Sequence, residues 1–157
     1  VDWAGPGTGV SQDGVHRKAT VIDAGLVRHR DILDDPLLIL QCLGGREIAA
    51  MAGAIVSARQ KQIPVLLDGF VATAAATVLY KANPHALGHC AAGHVSAEPG
   101  HQKLLKAIKK EPLLSLGMRL GEGSGAALAL AIIKGAVATH NGMASFADAG
   151  VSGENPD

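Results

Sequence analysis

Apolar positions recur along this chain with two different spacings. From Val15 to about Arg30, the residues Val15, Ala19, Ile22, Leu26 and Val27 fall three or four steps apart, which predicts one face of a helix. Asp13 stands where an N-cap is expected. Asp34-Asp35-Pro36 predicts a short helix through Leu43, with proline early in the first turn and Gly44-Gly45 breaking the run. Glu47 to about Gln60, rich in alanine and carrying Met51 and Ile55, predicts a third helix. The segment Ile63-Pro64-Val65-Leu66-Leu67-Asp68-Gly69-Phe70 reads differently. It is short and apolar without alternation and ends on an acid and a glycine, as a parallel strand covered on both faces does. A helix over 72–82 is closed by Asn83-Pro84. A weaker strand is expected over 87–92, then a loop over 93–100 and a Lys-rich helix from about His101 to Lys110. Leu113–Met118 reads as a last strand or an irregular turn, and a long helix follows Gly121-Glu122-Gly123-Ser124-Gly125 to about Phe146.

Strands alternating with helices specify a layered α/β fold with a parallel sheet. In such sheets ligands bind outside the carboxyl ends of the strands. Asp68, Ser96 and Glu122 fall at such ends or at helix starts.

Composition narrows the picture. Apolar residues make up 48% of the 157 positions and aromatics 3%, so the core is built from aliphatic side chains. Lys plus Arg and Asp plus Glu balance at 14 each, and no basic field points to nucleic acid or an anionic membrane. The apolar run Ala126–Ile133 is too short to span a bilayer. Cys42 and Cys90 read as reduced, small core residues of a cytoplasmic protein. The chain opens at Val1, inside a glycine-rich loop, so a piece of a longer polypeptide is expected.

Five segments offer chemistry. In Met118-Arg119-Leu120-Gly121-Glu122-Gly123-Ser124-Gly125, the glycines let backbone approach a ligand and expose helix-start amides to an anion. Arg119 adds a forked cation, and Glu122 presents a carboxylate between two glycines. The same pattern also suits a helix start whose glutamate favours the helix dipole. Ser96, before Ala97-Glu98-Pro99-Gly100, reads as an N-cap or as a hydroxyl aimed at a phosphate. Asp68 is either a turn residue or a site acid, and Glu47, after Gly44-Gly45-Arg46, either starts a helix or faces the site. Lys18, after Gly7-Thr8-Gly9, is either solvated or reaches back to a phosphate. The histidines His85, His89, His94 and His101 lack metal-ligand spacing, and Lys103, Lys106, Lys109 and Lys110 read as a solvated helix face.

Taken together, Gly44-Gly45-Arg46-Glu47-Ile48-Ala49-Ala50-Met51-Ala52-Gly53-Ala54, Ile63–Phe70, Ser96–His101 and Met118–Leu128 resemble, in order, the motifs of the nicotinate-nucleotide–dimethylbenzimidazole phosphoribosyltransferases. The resemblance covers nearly the whole chain, as the carboxyl-terminal portion of a family whose members are about twice as long. Pro6, Arg46 and Gly142 depart from the usual pattern.

The resemblance implies a Rossmann-like catalytic domain, here residues 1–125, and a small helical domain to which 126–157 contribute a long helix. It implies a homodimer, no metal and no cofactor, with nicotinate mononucleotide and 5,6-dimethylbenzimidazole as substrates. Glu122 matches the catalytic base. Lys18, Ser96 and Arg119 match residues at the phosphate end, and Glu47 and Asp68 match acids lining the site. Leu120, Gly121 and Gly123 belong to the same substrate-binding loop, with Met118 and Leu120 as an apolar wall. Two other readings stand beside this one: a homologue or fragment that binds a nucleotide or base without turnover, and a structural module built on the apolar helix 126–138.

Overall fold

The computed structural model describes residues 3–7 and 9–152. Thr8 of the Gly7-Thr8-Gly9 motif, Val1, Asp2 and the tail 153–157 lie outside the described residues. Among the described residues, six α-helices and three strands follow one another: α1 (Gln12–Arg28), α2 (Pro36–Ile39), α3 (Gly45–Gln60), β1 (Val65–Leu67), α4 (Phe70–Ala82), β2 (Cys90–His94), α5 (Pro99–Ala107), β3 (Pro112–Leu114) and α6 (Ser124–Gly142).

All three strands are parallel, in the order β1-β2-β3, with α4 and α5 as the crossovers. Val65 pairs with Cys90 and Leu67 with Ala92, while His94 pairs with Leu114. The short apolar strand run and the α/β class are therefore as the hydrophobic pattern requires. Ile55, Leu67, Ala76, Leu87, Cys90 and Ile108 form the core where α3, α4 and the sheet meet. Packing is close: a Cβ at Gly93 would press on the backbone of Ala126 and the carbonyl of Leu67, so glycine is what lets α6 lie against β2.

Several boundaries differ from the expectation. The second strand begins at Cys90 rather than 87, because Ala86 and Cys90 donate their amides to Asn83 and Leu87 in consecutive turns. Ser11, not Asp13, caps α1, accepting from the Gly14 amide at 3.4 Å. Gly44-Gly45 does break the regular helix, with Gly45 at φ +74° and ψ 174°, but helical turns resume at once. Leu40–Gly44 form a wider π turn that leads into α3. The last helix stops at Gly142, and Met143 is extended. Lys110 is not solvated with its neighbours; its ammonium donates to the Cys90 carbonyl at 2.7 Å. Cys42 is exposed rather than in the core, whereas Cys90 is buried.

The helical stretch Pro36–Gln60, taken across the turn at Gly45, is long and apolar enough, by length and composition, to cross a membrane. Here it carries Arg46, Glu47 and Arg59, and its Ala52 and Ile55 are buried against the rest of the domain. The outward faces of α1 and α6 are also apolar: Val21, Val27, Ile132 and Val137 are each more than half exposed.

Candidate active site

A cavity of about 650 Å³ opens at the carboxyl ends of β1 and β2. Its walls come from distant parts of the chain. The loop around Gly5, Lys18 and Ile22 of α1, and Met51 of α3 form one side. Asp68, Phe70, His94 and Ser96 form the floor at the strand ends, and Arg119–Gly123 close the rim before α6.

The rim has an unusual backbone. Gly121, Glu122 and Gly123 have φ of +80°, +57° and +76°, three left-handed residues in a row. Glycine adopts this region freely, which explains its place on both sides of Glu122. Glutamate does not, at a cost on the order of 1 kcal/mol. The turn lifts the Glu122 carboxylate to the cavity edge, exposed, and it makes no hydrogen bond among the described residues.

Asp68 holds this rim in place. Its Oδ1 accepts from the Ala126 amide at 2.9 Å, across 58 residues of sequence. The end of β1 thus supplies an acceptor for an otherwise unpaired amide in the first turn of α6. His94 lies beneath, 2% exposed, with Nε2 at 3.5 Å from the same Asp68 oxygen. Its ring rests directly on Gly125, where any Cβ would collide with it. Gly125 is therefore fixed by close approach, not by a turn.

Two cations line the same cavity. Lys18 donates to the Gly5 carbonyl at 3.3 Å and Arg119 to the Gly7 carbonyl at 3.4 Å, so both clasp the amino-terminal loop at the cavity mouth. Lys103 lies over the Trp3 ring, 5.9 Å from its centroid, and anchors the same loop to α5.

Eight of the ten residues singled out in the sequence line this one cavity: Lys18, Asp68, Ser96, Arg119, Leu120, Gly121, Glu122 and Gly123. Glu47 stands exposed in the first turn of α3 and is not among the lining residues, nor is Met118. Ser96 does not cap α5, whose N-cap is Glu98 with Pro99 in its first turn; the Ser96 hydroxyl lies 3.0 Å from Nδ1 of His101. The reading of residues missed His94, His101 and the apolar walls from Ile22, Met51 and Phe70. His94 carried one usable signal, its place at the end of a strand, two residues before Ser96.

Comparison with known proteins accords with this geometry. The sequence model of a phosphoribosyltransferase family matches residues 1–151. The nicotinate-nucleotide–dimethylbenzimidazole phosphoribosyltransferase of Rhizobium etli (strain CIAT 652) is 61% identical over 154 residues, covering 98% of this chain and 46% of the relative. That of Brucella canis is 62% identical over 151 residues, covering 96% and 44%. Two crystal structures from Thermus thermophilus superpose closely. One, described as CobT, has a TM-score of 0.86 at 40% identity over 95% of this chain and 44% of its own. The other, described as the same phosphoribosyltransferase, has a TM-score of 0.84 at 37% identity, covering 98% and 44%. The chain spans about half the length of the curated relatives it matches. It belongs to the nicotinate-nucleotide–dimethylbenzimidazole phosphoribosyltransferase family.

Proposed function

We propose that this chain carries the catalytic end of a phosphoribosyl transfer from nicotinate mononucleotide to 5,6-dimethylbenzimidazole, in assembly of the lower ligand of cobalamin. The observation that supports it most is the grouping of one strained carboxylate, Glu122, unpaired among the described residues, with two cations, Lys18 and Arg119, around a cavity with apolar walls.

In this reading the Glu122 carboxylate takes the N–H proton of the benzimidazole, and the opposite ring nitrogen attacks C1′ of the ribose. The bond from C1′ to the nicotinate nitrogen breaks, and its electron pair returns to the pyridinium ring. The products are α-ribazole 5′-phosphate and nicotinate. A pyridinium is already a good leaving group, so the remaining task is positioning. Arg119, Lys18, Ser96 and the helix-start amides hold the phosphate end, with Gly121 and Gly123 giving close backbone access. Leu120 shields the reacting centre from water. Asp68 serves by fixing the start of α6, and Glu47, exposed in the first turn of α3, stands outside the cavity lining.

The working enzyme is proposed as a cytoplasmic homodimer. The apolar outer face of α6 suits burial in a small helical domain made by 126–157 with further chain, beside a catalytic domain formed by 1–125. One observation favours a second reading, a nucleotide- or base-binding homologue without turnover: the match extends over less than half of each curated relative. Nicotinate release from nicotinate mononucleotide, with and without dimethylbenzimidazole, separates the two. Base-dependent release supports transfer, and binding without release supports the second.

A further inference from the structure

Thr73, His101 and Ser96 are joined by hydrogen bonds through the interior beside the cavity. Thr73 on α4 and His101 on α5 are both wholly buried. His101 Nε2 lies 2.9 Å from the Thr73 hydroxyl. On the other side of the ring, Nδ1 lies 2.9 Å from the Ser96 amide nitrogen and 3.0 Å from its hydroxyl. An amide N–H only donates, so Nδ1 is unprotonated and the proton sits on Nε2, where it is donated to Thr73. The ring is neutral. Around it stand Phe70, at 6.3 Å between ring centroids, and His94, edge-on at 6.1 Å. Desolvation first, then the neighbouring His94, pushes the His101 pKa down to about 4, against a smaller opposing pull from Asp68. The ring stays neutral throughout the physiological range.

Such a ring is demanding to bury, and an aliphatic side chain would fill the space at less cost. What it supplies is an acceptor beneath Ser96, a residue of the cavity wall, while His101 itself is not among the lining residues. Because the Ser96 amide alone satisfies Nδ1, the Ser96 hydroxyl proton is free to leave His101 for a ligand oxygen without orphaning the ring.

We infer that His101 is a positioning residue: through Nδ1 it fixes the Ser96 backbone in the cavity wall and holds the Ser96 hydroxyl there, from where it turns to donate to the bound nucleotide. The inference deepens the proposed function and rests on that reading, since it takes the cavity to hold a phosphorylated nucleotide.

Two replacements divide the two ends of the ring. His101→Asn sets an amide oxygen near the position of Nδ1 and keeps the acceptor for Ser96. His101→Gln sets an amide nitrogen near Nε2, keeping the donor to Thr73 and losing that acceptor. Nicotinate mononucleotide is titrated calorimetrically into each folded variant, with the urea midpoint recorded beside it. His101→Gln and Ser96→Ala each weaken binding about tenfold, the equivalent of one hydrogen bond, and His101→Asn stays within about threefold of wild type. The Ser96→Ala/His101→Gln double variant binds no more weakly than either single one. Equal losses for Asn and Gln that follow the urea midpoints, or additive losses in the double variant, would overturn the inference while leaving the transfer reaction standing. Proton–nitrogen correlation NMR of the ligand-free protein adds a readout independent of turnover. Unprotonated Nδ1 at neutral pH supports the arrangement, and protonated Nδ1 refutes it. A wild type that binds no nucleotide overturns the functional reading and this inference together.

Discussion

Glu122 occupies a backbone region where glutamate is strained, and its two neighbours are the residues that adopt that region freely. A folded chain gains nothing from a carboxylate there, because the side chain is exposed and without a partner among the described residues. The proposed transfer accounts for the strain: in it the carboxylate meets the N–H of the benzimidazole. Lys18 and Arg119 currently donate to loop carbonyls at the long distances of 3.3 and 3.4 Å, bonds that a phosphate would replace with shorter, charge-assisted ones. Replacing either by alanine is expected to raise KM for nicotinate mononucleotide roughly 10- to 100-fold with a smaller change in kcat, read from initial rates. His101 gives a prediction about stability. Its pKa is lower folded than unfolded, so the unfolded chain binds the extra proton, and stability falls as pH drops from about 6.5 toward 4. Over about pH 7 to 4.5 this single group accounts for about 2 kcal/mol. Urea unfolding at the two values should show that share missing in His101→Gln.

At the scale of elements, the site is made where β1 and β2 end and α6 begins. The sequence made much of this legible. The apolar run ending in Leu67-Asp68 specified a parallel strand with an acid at its carboxyl end, and the three glycines around Glu122 marked an unusual backbone, left-handed at Gly121 and Gly123 and close-packed only at Gly125. What it concealed were contacts across distant segments. No local pattern shows that Asp68 accepts from an amide 58 positions later, or that His94 rests on Gly125. The misplaced second strand has a local cause, since turn bonds after Asn83 hold the chain out of the sheet until Cys90. The cap assigned to Ser96 failed because Ser96 turns its hydroxyl to a buried histidine while Glu98 stands at the helix start. Gly125→Ala tests the α6 contact. The added methyl forces the His94 ring aside and should lower stability by about 1–3 kcal/mol in urea unfolding, with activity lost alongside. An unchanged midpoint would show that His94 moves without cost.

At the scale of the molecule, the core gathers around Leu67, Leu87 and Ile108, whereas large parts of α1 and α6 present apolar side chains to solvent. Exposed apolar faces of that extent mark surfaces that another polypeptide covers. With the match to relatives about twice as long, and the homodimer proposed above, this predicts self-association. Sedimentation equilibrium should find species heavier than one chain, and Val21→Glu with Val27→Glu, on the face of α1 left open when α6 is covered by its own helical domain, should shift them toward the monomer. A monomer at every concentration would contradict it. The two cysteines offer a simple check of packing. Cys42 is exposed and should react quickly with a thiol reagent, while Cys90, buried and with its thiol pKa pushed up by burial, should react only on unfolding.

The most direct test of the account is nicotinate release from nicotinate mononucleotide, comparing wild type with Glu122→Gln and adding or omitting dimethylbenzimidazole. The substitution keeps the size of the side chain and removes only its basicity, and the position is exposed, so folding should not change. Release should depend on the benzimidazole and fall by about 100-fold or more in Glu122→Gln. Release at an unchanged rate in that variant, or no base-dependent release by the wild type, would contradict the proposed transfer.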